Sequence, residues 1–350
     1  MSGTRLLIRF LDASTHRWGE LLGKAPVAGA DMVDVVPFDT AASTTGELIT
    51  ALDRNAVKPL ERVQIVASRL LSPITPDAAL VCQGLNYADH ANEASHANRK
   101  SNLIFGKAGS SICGPYDDIV RPPVVELLDY EVEFALVMRA DLLADARVTE
   151  DNIGDFVAGV VLCNDISARD IQFGESLIQW FRGKSYRTFC PTGPLLCLPE
   201  RQEVAALLRN LAIQLWVNGG LRQSATSERL IWKPVETLNY VRSFMNMKPG
   251  DLLLTGTPGG VTAPVTPAMV DIIKTHLFAD DHRMKALRTE MSKGRPFLRP
   301  GDVVATSLTD CRNGAALGGP TEHDRPSTSK GMSIWPYCGN NLWTDRAGAV

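Results

Sequence analysis

Leu128-Asp129-Tyr130-Glu131-Val132-Glu133-Phe134-Ala135-Leu136-Val137 alternates charged and apolar side chains and then becomes wholly apolar. A period of two reads as a strand, which puts Glu131 and Glu133 on one face with their Cα atoms roughly 6.6–6.8 Å apart. Tyr130, Val132 and Phe134 take the opposite face. Two carboxylates aimed the same way repel each other unless a cation neutralises them, and hard divalent ions favour such oxygen donors. A solvated polar strand face is the alternative reading.

Working outward, Val160-Val161-Leu162-Cys163-Asn164-Asp165 is a second apolar strand, ending in Asn-Asp. Asp165 could join Glu131 and Glu133 as a third ion ligand, or cap a helix beginning in the following Ile-Ser-Ala-Arg-Asp-Ile-Gln. On both sides the chain consists of short apolar runs, at 80–82, 111–113, 131–138, 156–162, 212–217 and 251–255, separated by glycine, proline and aspartate. Strands at that spacing with few long helices favour a mostly β, α+β roll or sandwich over a doubly wound sheet.

The 350 residues carry 36 basic and 39 acidic side chains, for a net charge of -3, which argues against a broad nucleic-acid footprint. Hydrophobic residues make up 45% of the chain, ample for a core, and the length suits about two domains. Seven cysteines without a Cys-x-x-Cys pair exclude a zinc ribbon and make a disulfide framework a poor fit. No apolar run approaches the roughly 18 residues of a membrane span, and the N-terminus lacks a secretory pattern, so a soluble cytoplasmic protein is expected.

Three units are expected. Residues 1–72 read as a small N-terminal α+β domain, with strands at 6–11 and around 18–21 and a helix over 45–55 capped by Ser43 or Thr44. Residues 73–320 form the catalytic β-roll domain, with further helices at 87–97 and 235–245. Helical spacing of Ile272, Ile273, His276 and Leu277, then of Met284, Leu287 and Met291, marks a helical insertion at about 264–296. Residues 321–350 read as an irregular tail whose aromatic residues, Trp335 and Tyr337, dock on an unnamed surface.

Further segments could carry chemistry. On a helix, His90 and Glu93 are neighbours, and a carboxylate orienting an imidazole is a general-base arrangement, although a surface pair fits as well. Lys184, within Arg182-Gly183-Lys184-Ser185, could stabilise negative charge or face solvent. Residues 248–261 run from a strand into a Gly/Pro-rich loop whose amides and threonine hydroxyl suit a carboxylate; the loop lacks the Gly-Lys-Ser/Thr ending of a phosphate-binding loop.

Taken in order, GLNYADHANE, LIFGKAGSSICGP with IVRPP, DYEVEFALV, CNDISARDIQ, QWFRGKS, CPTGP, VNGGLRQ and PGDLLLTGTPGGV resemble the fumarylacetoacetate hydrolase family. The resemblance covers residues 77–262 and resumes at 297–303. It implies a mixed β-sandwich roll that forms homodimers and holds one Mg2+ or Mn2+ on Glu131, Glu133 and Asp165. It places a catalytic His90–Glu93 pair in a segment over the substrate, with Lys184 beside the reacting carbonyl. Tyr87, Lys107, Arg169, Gln172 and Thr257 are the implied substrate-binding residues. The implied substrate is a small-molecule 2-oxo acid, with no nucleic-acid or membrane partner.

The expected activity is metal-dependent hydrolysis of a C–C bond in acylpyruvate-like β-diketo acids, through a metal-bound enolate and water activated by His90 and Glu93, in aromatic catabolism. Alternatives are a decarboxylase or tautomerase/isomerase of oxaloacetate-like or 2-hydroxy-dienoic acids, and a non-catalytic or biosynthetic relative retaining the metal site. One departure stands out: Tyr186-Arg187 follows Ser185 where many relatives have an aromatic residue and aspartate. The extra cation implies a more anionic substrate or a surface salt bridge.

Overall fold

The computed structural model describes residues 3–88, 101–319 and 332–336. It opens with an antiparallel meander of β1 (Arg5–Asp12), β2 (Thr15–Leu22) and β3 (Met32–Asp39). Helix α1 (Thr45–Asp53) starts at a reciprocal cap: the Thr44 hydroxyl accepts from Glu47 N at 3.2 Å and the Glu47 carboxylate accepts from Thr44 N at 3.1 Å. Of the two cap residues expected, Thr44 therefore takes the role.

The remaining elements that build the site follow in order. They are β4 (Leu80–Gly84), β5 (Leu103–Lys107), β6 (Val132–Met138), β7 (Val157–Asn164), α2 (Arg169–Gly174), α3 (Trp180–Lys184) and β8 (Cys190–Leu198). After these come β9 (Leu211–Val217), β10 (Gly220–Thr226), α4 (Pro234–Val241), β11 (Leu252–Leu254), α5 (Pro267–Thr275), α6 (Asp280–Met291) and β12 (Val303–Asp310).

One large mixed sheet runs β3-β2-β1-β8-β7-β6-β11-β4-β5, with shorter strands added at its margins. Along this path only β11 and β4 pair in parallel. Strand β1 bonds directly to β8, with Leu7 opposite Leu196, so the N-terminal meander continues the sheet that carries β6 and β7. A second sheet contains β10, β9 and β12.

The alternation read from 128–137 is realised on both faces of β6. Val132, Phe134, Leu136 and Met138 enter one core, with residues of both sheets. Ala135 and Val137 enter another, with Leu48 and Ile49 of α1 and with Leu252 and Leu254. Each residue of β6 and β7 is buried, as expected where both faces of a sheet are covered.

The insertion folds as two helices, α5 and α6. The Thr266 hydroxyl accepts from Met269 N at 3.2 Å, and Pro267 occupies the first turn of α5, where its missing N–H leaves no bond unmade. In the tail the expectation of irregular structure is corrected. Met332–Pro336 is a strand, parallel to 119–121 and antiparallel to the start of β12, with Ile119 opposite Ile334 and Val303 opposite Ser333. Its partners lie far away in sequence, so local composition carried no trace of the pairing. The helix expected at 87–97 lies outside the described residues from Asp89 on. Among the described residues no helix is long and apolar enough to cross a membrane.

Candidate metal centre and substrate pocket

The start of β6 and the end of β7 are cross-tied by backbone. Asp165 N donates to Glu131 O at 2.8 Å, and Glu131 N donates to the Asn164 side-chain oxygen at 2.9 Å. This stitch brings Asp165 beside the two glutamates. Glu131, Glu133 and Asp165 each present a carboxylate oxygen within 4.8 Å of the others, and all three are buried. Helix α2 begins only at Arg169, after Ala168, so Asp165 is not its cap.

Among the described residues, three buried cations contact the cluster. Lys184 Nζ donates to Asp165 Oδ2 at 2.6 Å, Glu131 Oε2 at 2.9 Å and Ser167 Oγ at 2.8 Å. Lys107 Nζ donates to Asp165 Oδ1 at 2.5 Å and to the carbonyls of Phe189 at 2.8 Å and Ile166 at 3.3 Å. Arg169 donates to Glu131 Oε1 at 2.5 Å, Asp129 Oδ2 at 2.9 Å and Gln172 Oε1 at 2.9 Å. Burial alone would lower the lysine pKa at 184, but Asp165 and Glu131 outweigh it and hold the ammonium charged. Arg169 is likewise held charged: burial opposes its charge, and Glu131 and Asp129 more than offset this.

Glu133 is the exception. It makes no ion pair among the described residues, and its Oε2 accepts from Gly256 N at 2.7 Å. Gly256 takes φ +92° there, and a Cβ would sit 2.9 Å from Asn86 Cβ and 3.0 Å from Gln83 O, so glycine alone suits that position. Burial, then Asp165 and Glu131, push the Glu133 carboxyl well above the usual carboxylate range. Among the described residues, Asp129, Glu131 and Asp165 are ion-paired with Arg169, Lys184 and Lys107, whereas Glu133 has no ion pair. Three buried hard oxygen donors this close together fit a divalent cation.

A pocket opens on this cluster. Its polar wall is Gln83, Glu131, Arg169, Gln172, Lys184 and Thr257; its apolar wall includes Phe105, Phe173, Trp180 and Val265. Gln172 Nε2 is buried without an acceptor, a donor open to a ligand oxygen. Thr257 lines the pocket, but its hydroxyl donates to Val132 O at 3.0 Å and accepts from Gln223 Nε2 at 2.8 Å. Tyr87 is buried with its hydroxyl unpartnered, and burial followed by the Glu133 charge raises its pKa. Lys107, implied as a substrate contact, instead directs its ammonium at Asp165 and two carbonyls, and it is absent from the pocket wall. Arg187 is exposed and also off that wall. His90 and Glu93 lie outside the described residues.

Sequence reasoning left Asp129 unassigned. It is fully buried, pairs with Arg169, and accepts from Thr262 N at 2.9 Å and Ala263 N at 3.1 Å. It thereby ties the root of the helical insertion to the residue that clamps Glu131. Its spacing, two residues before Glu131, was the available signal. Trp180, Phe105 and Phe173 carried no such signal.

Comparison with known proteins agrees with this geometry. The family model "Fumarylacetoacetate (FAA) hydrolase C-terminal" matches residues 79–316. A mitochondrial oxaloacetate tautomerase of Bos taurus is 35% identical over 257 residues, 70% of this chain and 79% of that protein. One of Rattus norvegicus is 36% identical over 244 residues, covering 67% and 75%. Among solved structures, a probable 2-hydroxyhepta-2,4-diene-1,7-dioate isomerase from Mycobacterium abscessus superposes with TM-score 0.64 at 26% identity, covering 95% of this chain and 99% of that one. The fumarylacetoacetate hydrolase of Exiguobacterium antarcticum does so with TM-score 0.62 at 27% identity, covering 91% and 99%. With a buried Glu-Glu-Asp cluster on a mixed sheet and a family match spanning most of its length, this chain belongs to the fumarylacetoacetate hydrolase family.

Proposed function

We propose that the protein is a divalent-metal-dependent enzyme that interconverts the keto and enol forms of short 2-oxo acids of the oxaloacetate type. The observation that carries this reading is the pocket in which Glu131, backed by Glu133 and Asp165, lies beside Lys184, Arg169 and the free amide of Gln172. Relatives named as oxaloacetate tautomerases support the substrate class. This departs from the hydrolase expected from the sequence, and the site needs only proton transfer to perform it.

Mg2+ or Mn2+ held by Glu131, Glu133 and Asp165 would act as a Lewis acid on the 2-oxo group and stabilise negative charge there. Lys184 keeps a permanent positive charge at the same edge of the pocket, with all three protons directed at Glu131, Asp165 and Ser167. Arg169 holds Glu131 and Gln172 in register, so that Gln172 Nε2 can donate to a substrate oxygen. In tautomerisation the C3–H bond breaks, an O–H bond forms on the 2-oxo oxygen, and no other group leaves. The base that carries this proton is assigned to His90, oriented by Glu93, on the sequence spacing of the two residues.

The same spacing favours a second reading, activation of water against the distal carbonyl of an acylpyruvate. One experiment separates the two. The protein is incubated with oxaloacetate and with acetylpyruvate, with Mg2+ or Mn2+, following enol absorbance and product acids. Faster enol–keto interconversion of oxaloacetate without acid release is expected. Acetate and pyruvate released from acetylpyruvate with no effect on oxaloacetate would select the hydrolase reading, and no change in either substrate would remove both.

A further inference from the structure

Helix α2 has little of its own to hold it in place. It is six residues long, starts after Ala168 without a side-chain cap, and every residue in it is buried. A helix this short has more unmatched end groups than internal bonds, so outside partners decide where it lies. Its placement bears on the site, because α2 carries Arg169, which clamps Glu131, and Gln172, whose buried Nε2 is open to a ligand oxygen.

The last three carbonyls of α2 accept from other segments. Gln172 O accepts from Gln179 N at 2.9 Å. Phe173 O at 3.0 Å and Gly174 O at 3.1 Å accept from Arg283 of α6, a fully buried side chain. The rest of its guanidinium donates to His276 O at 2.7 Å and Leu277 O at 2.6 Å, just after α5, and to Asp280 Oδ1 at 2.7 Å. Each N–H of the planar fork is therefore used, and one cation joins the end of α2, the end of α5 and the start of α6. Asp280 Oδ2 adds a bond from Ser176 Oγ at 2.8 Å, just beyond α2. Arg288 of α6 also meets Glu126 at 3.1 Å, but both side chains are exposed and such pairs contribute little. The Arg283 bonds differ, since a buried carbonyl that loses its donor has no water to replace it. Phe173, which lines the pocket, also shares a core with Met269 of α5 and with Leu287 and Met291 of α6. The carbonyls that Arg283 holds belong to the two residues after Gln172, so any shift of that turn carries the Gln172 amide with it.

We infer that Arg283 is a positioning residue: by fixing the last turn of α2 it aims the Gln172 amide into the pocket, and through it the α5–α6 insertion supports substrate binding. The inference rests on the proposed reading in one respect, that Gln172 donates to a substrate oxygen, and adds the residue that holds it there.

The test uses the full-length, Mg2+-loaded protein with two probes. Oxaloacetate reads turnover, and malate, with the same oxygens on the same carbons but no keto–enol equilibrium, reads binding by calorimetry. Arg283→Met should lower oxaloacetate kcat/KM and malate affinity by about tenfold each, as expected from losing one hydrogen bond to a charged oxygen. Arg283→Lys, which keeps the charge with fewer donors, should recover part of both. Made on top of Gln172→Ala, Arg283→Met should cost less than about twofold, because the group it positions is gone. Equal losses with and without Gln172 would overturn the inference and leave Arg283 a structural residue. If Arg283→Met does not fold, Arg283→Lys carries the same cycle: a loss of about threefold confined to protein that retains Gln172 supports the inference, and equal changes on both backgrounds overturn it. A crystal structure of Arg283→Met needs no ligand; a Gln172 amide turned from its wild-type place supports the inference, and an unmoved one overturns it. Malate affinity lost through Gln172, with no turnover of oxaloacetate by the wild type, would remove the proposed reaction and keep the positioning role.

Discussion

Lys184 and Asp165 form a buried ion pair at 2.6 Å, the lysine side chain 1% exposed and the aspartate 0%. The same ammonium reaches Glu131 at 2.9 Å, so one cation spans two of the three clustered carboxylates. Removing this lysine leaves Asp165 with Lys107 and Glu131 with Arg169 but takes one charge out of a network buried in a low dielectric, where breaking a pair costs up to about 3–5 kcal/mol. Lys184→Met should therefore lower unfolding stability in metal-free protein by at most about that amount, with much of the loss recovered on adding Mg2+. Denaturant titrations with and without the ion check this; an unchanged midpoint would show that the pair is not carrying the cluster.

Glu133 gives the metal-free protein a pH signature. Its folded pKa is raised, chiefly by burial, so the folded state binds this proton more tightly than the unfolded chain does. Stability from this group is complete below the ordinary carboxylate pKa near 4.3 and is lost as pH rises through the raised value. Glu133→Gln should abolish that loss, making the metal-free variant more stable than wild type at neutral pH. With Mg2+ at about a hundred times its Kd the order should reverse, because the ion adds about 2.7 kcal/mol to a wild type that binds it. Thermal melts of both proteins in chelator and in Mg2+ read the crossover, and parallel curves would contradict it.

Asp129 has a consequence for catalysis without being a metal ligand. It fixes Arg169 Nε at 2.9 Å and takes the amides of Thr262 and Ala263. Asp129→Asn removes the charge and points an amide N–H at one of these donors, losing a charged hydrogen bond worth about 1.5–3 kcal/mol. A drop of about ten- to a hundredfold in kcat/KM is expected, with metal content unchanged by elemental analysis. Wild-type kinetics in this variant would release Arg169 from any dependence on Asp129.

Gly183, within α3, packs against Gln172 of α2. A Cβ at this position would lie 2.9 Å from Gln172 Cα, Cβ and N, contacts made largely by backbone that cannot swing away. Gly183→Ala should force the helix carrying Lys184 off the helix carrying Arg169 and Gln172, destabilising by about 1–3 kcal/mol and lowering activity. By contrast, the atoms nearest a Cβ at Gly174 belong to Met284, whose Cε is the free end of a flexible side chain. The second variant should stay near wild type in melting temperature, and equal effects of the two would refute the steric account.

Much of this site could be read locally. The period of two at 128–137 placed Glu131 and Glu133 together because pleat geometry is a property of adjacent residues. Extended by two residues, the same rule would have found Asp129. Helix caps at Thr44 and Thr266 were legible or nearly so, being contacts within one turn. Lys107 was not: it reaches Asp165 across 58 residues, and nothing in LIFGKAG distinguishes a lysine that serves a carboxylate from one that meets substrate. The strand at Met332–Pro336 and the buried Arg283 were hidden for the same reason, since their partners are remote or are backbone carbonyls that any sequence supplies.

By itself, then, the sequence determined the mostly β class, the carboxylate set for an ion and the family, each carried by short-range periodicity or by the order of local motifs. Only the tertiary structure decided which carboxylates are compensated, which lysine is internal, and that the insertion stands behind an aromatic pocket wall. Those outcomes depend on distances between segments scores of residues apart, and on a charge balance that exists only once the strands and helices have excluded water.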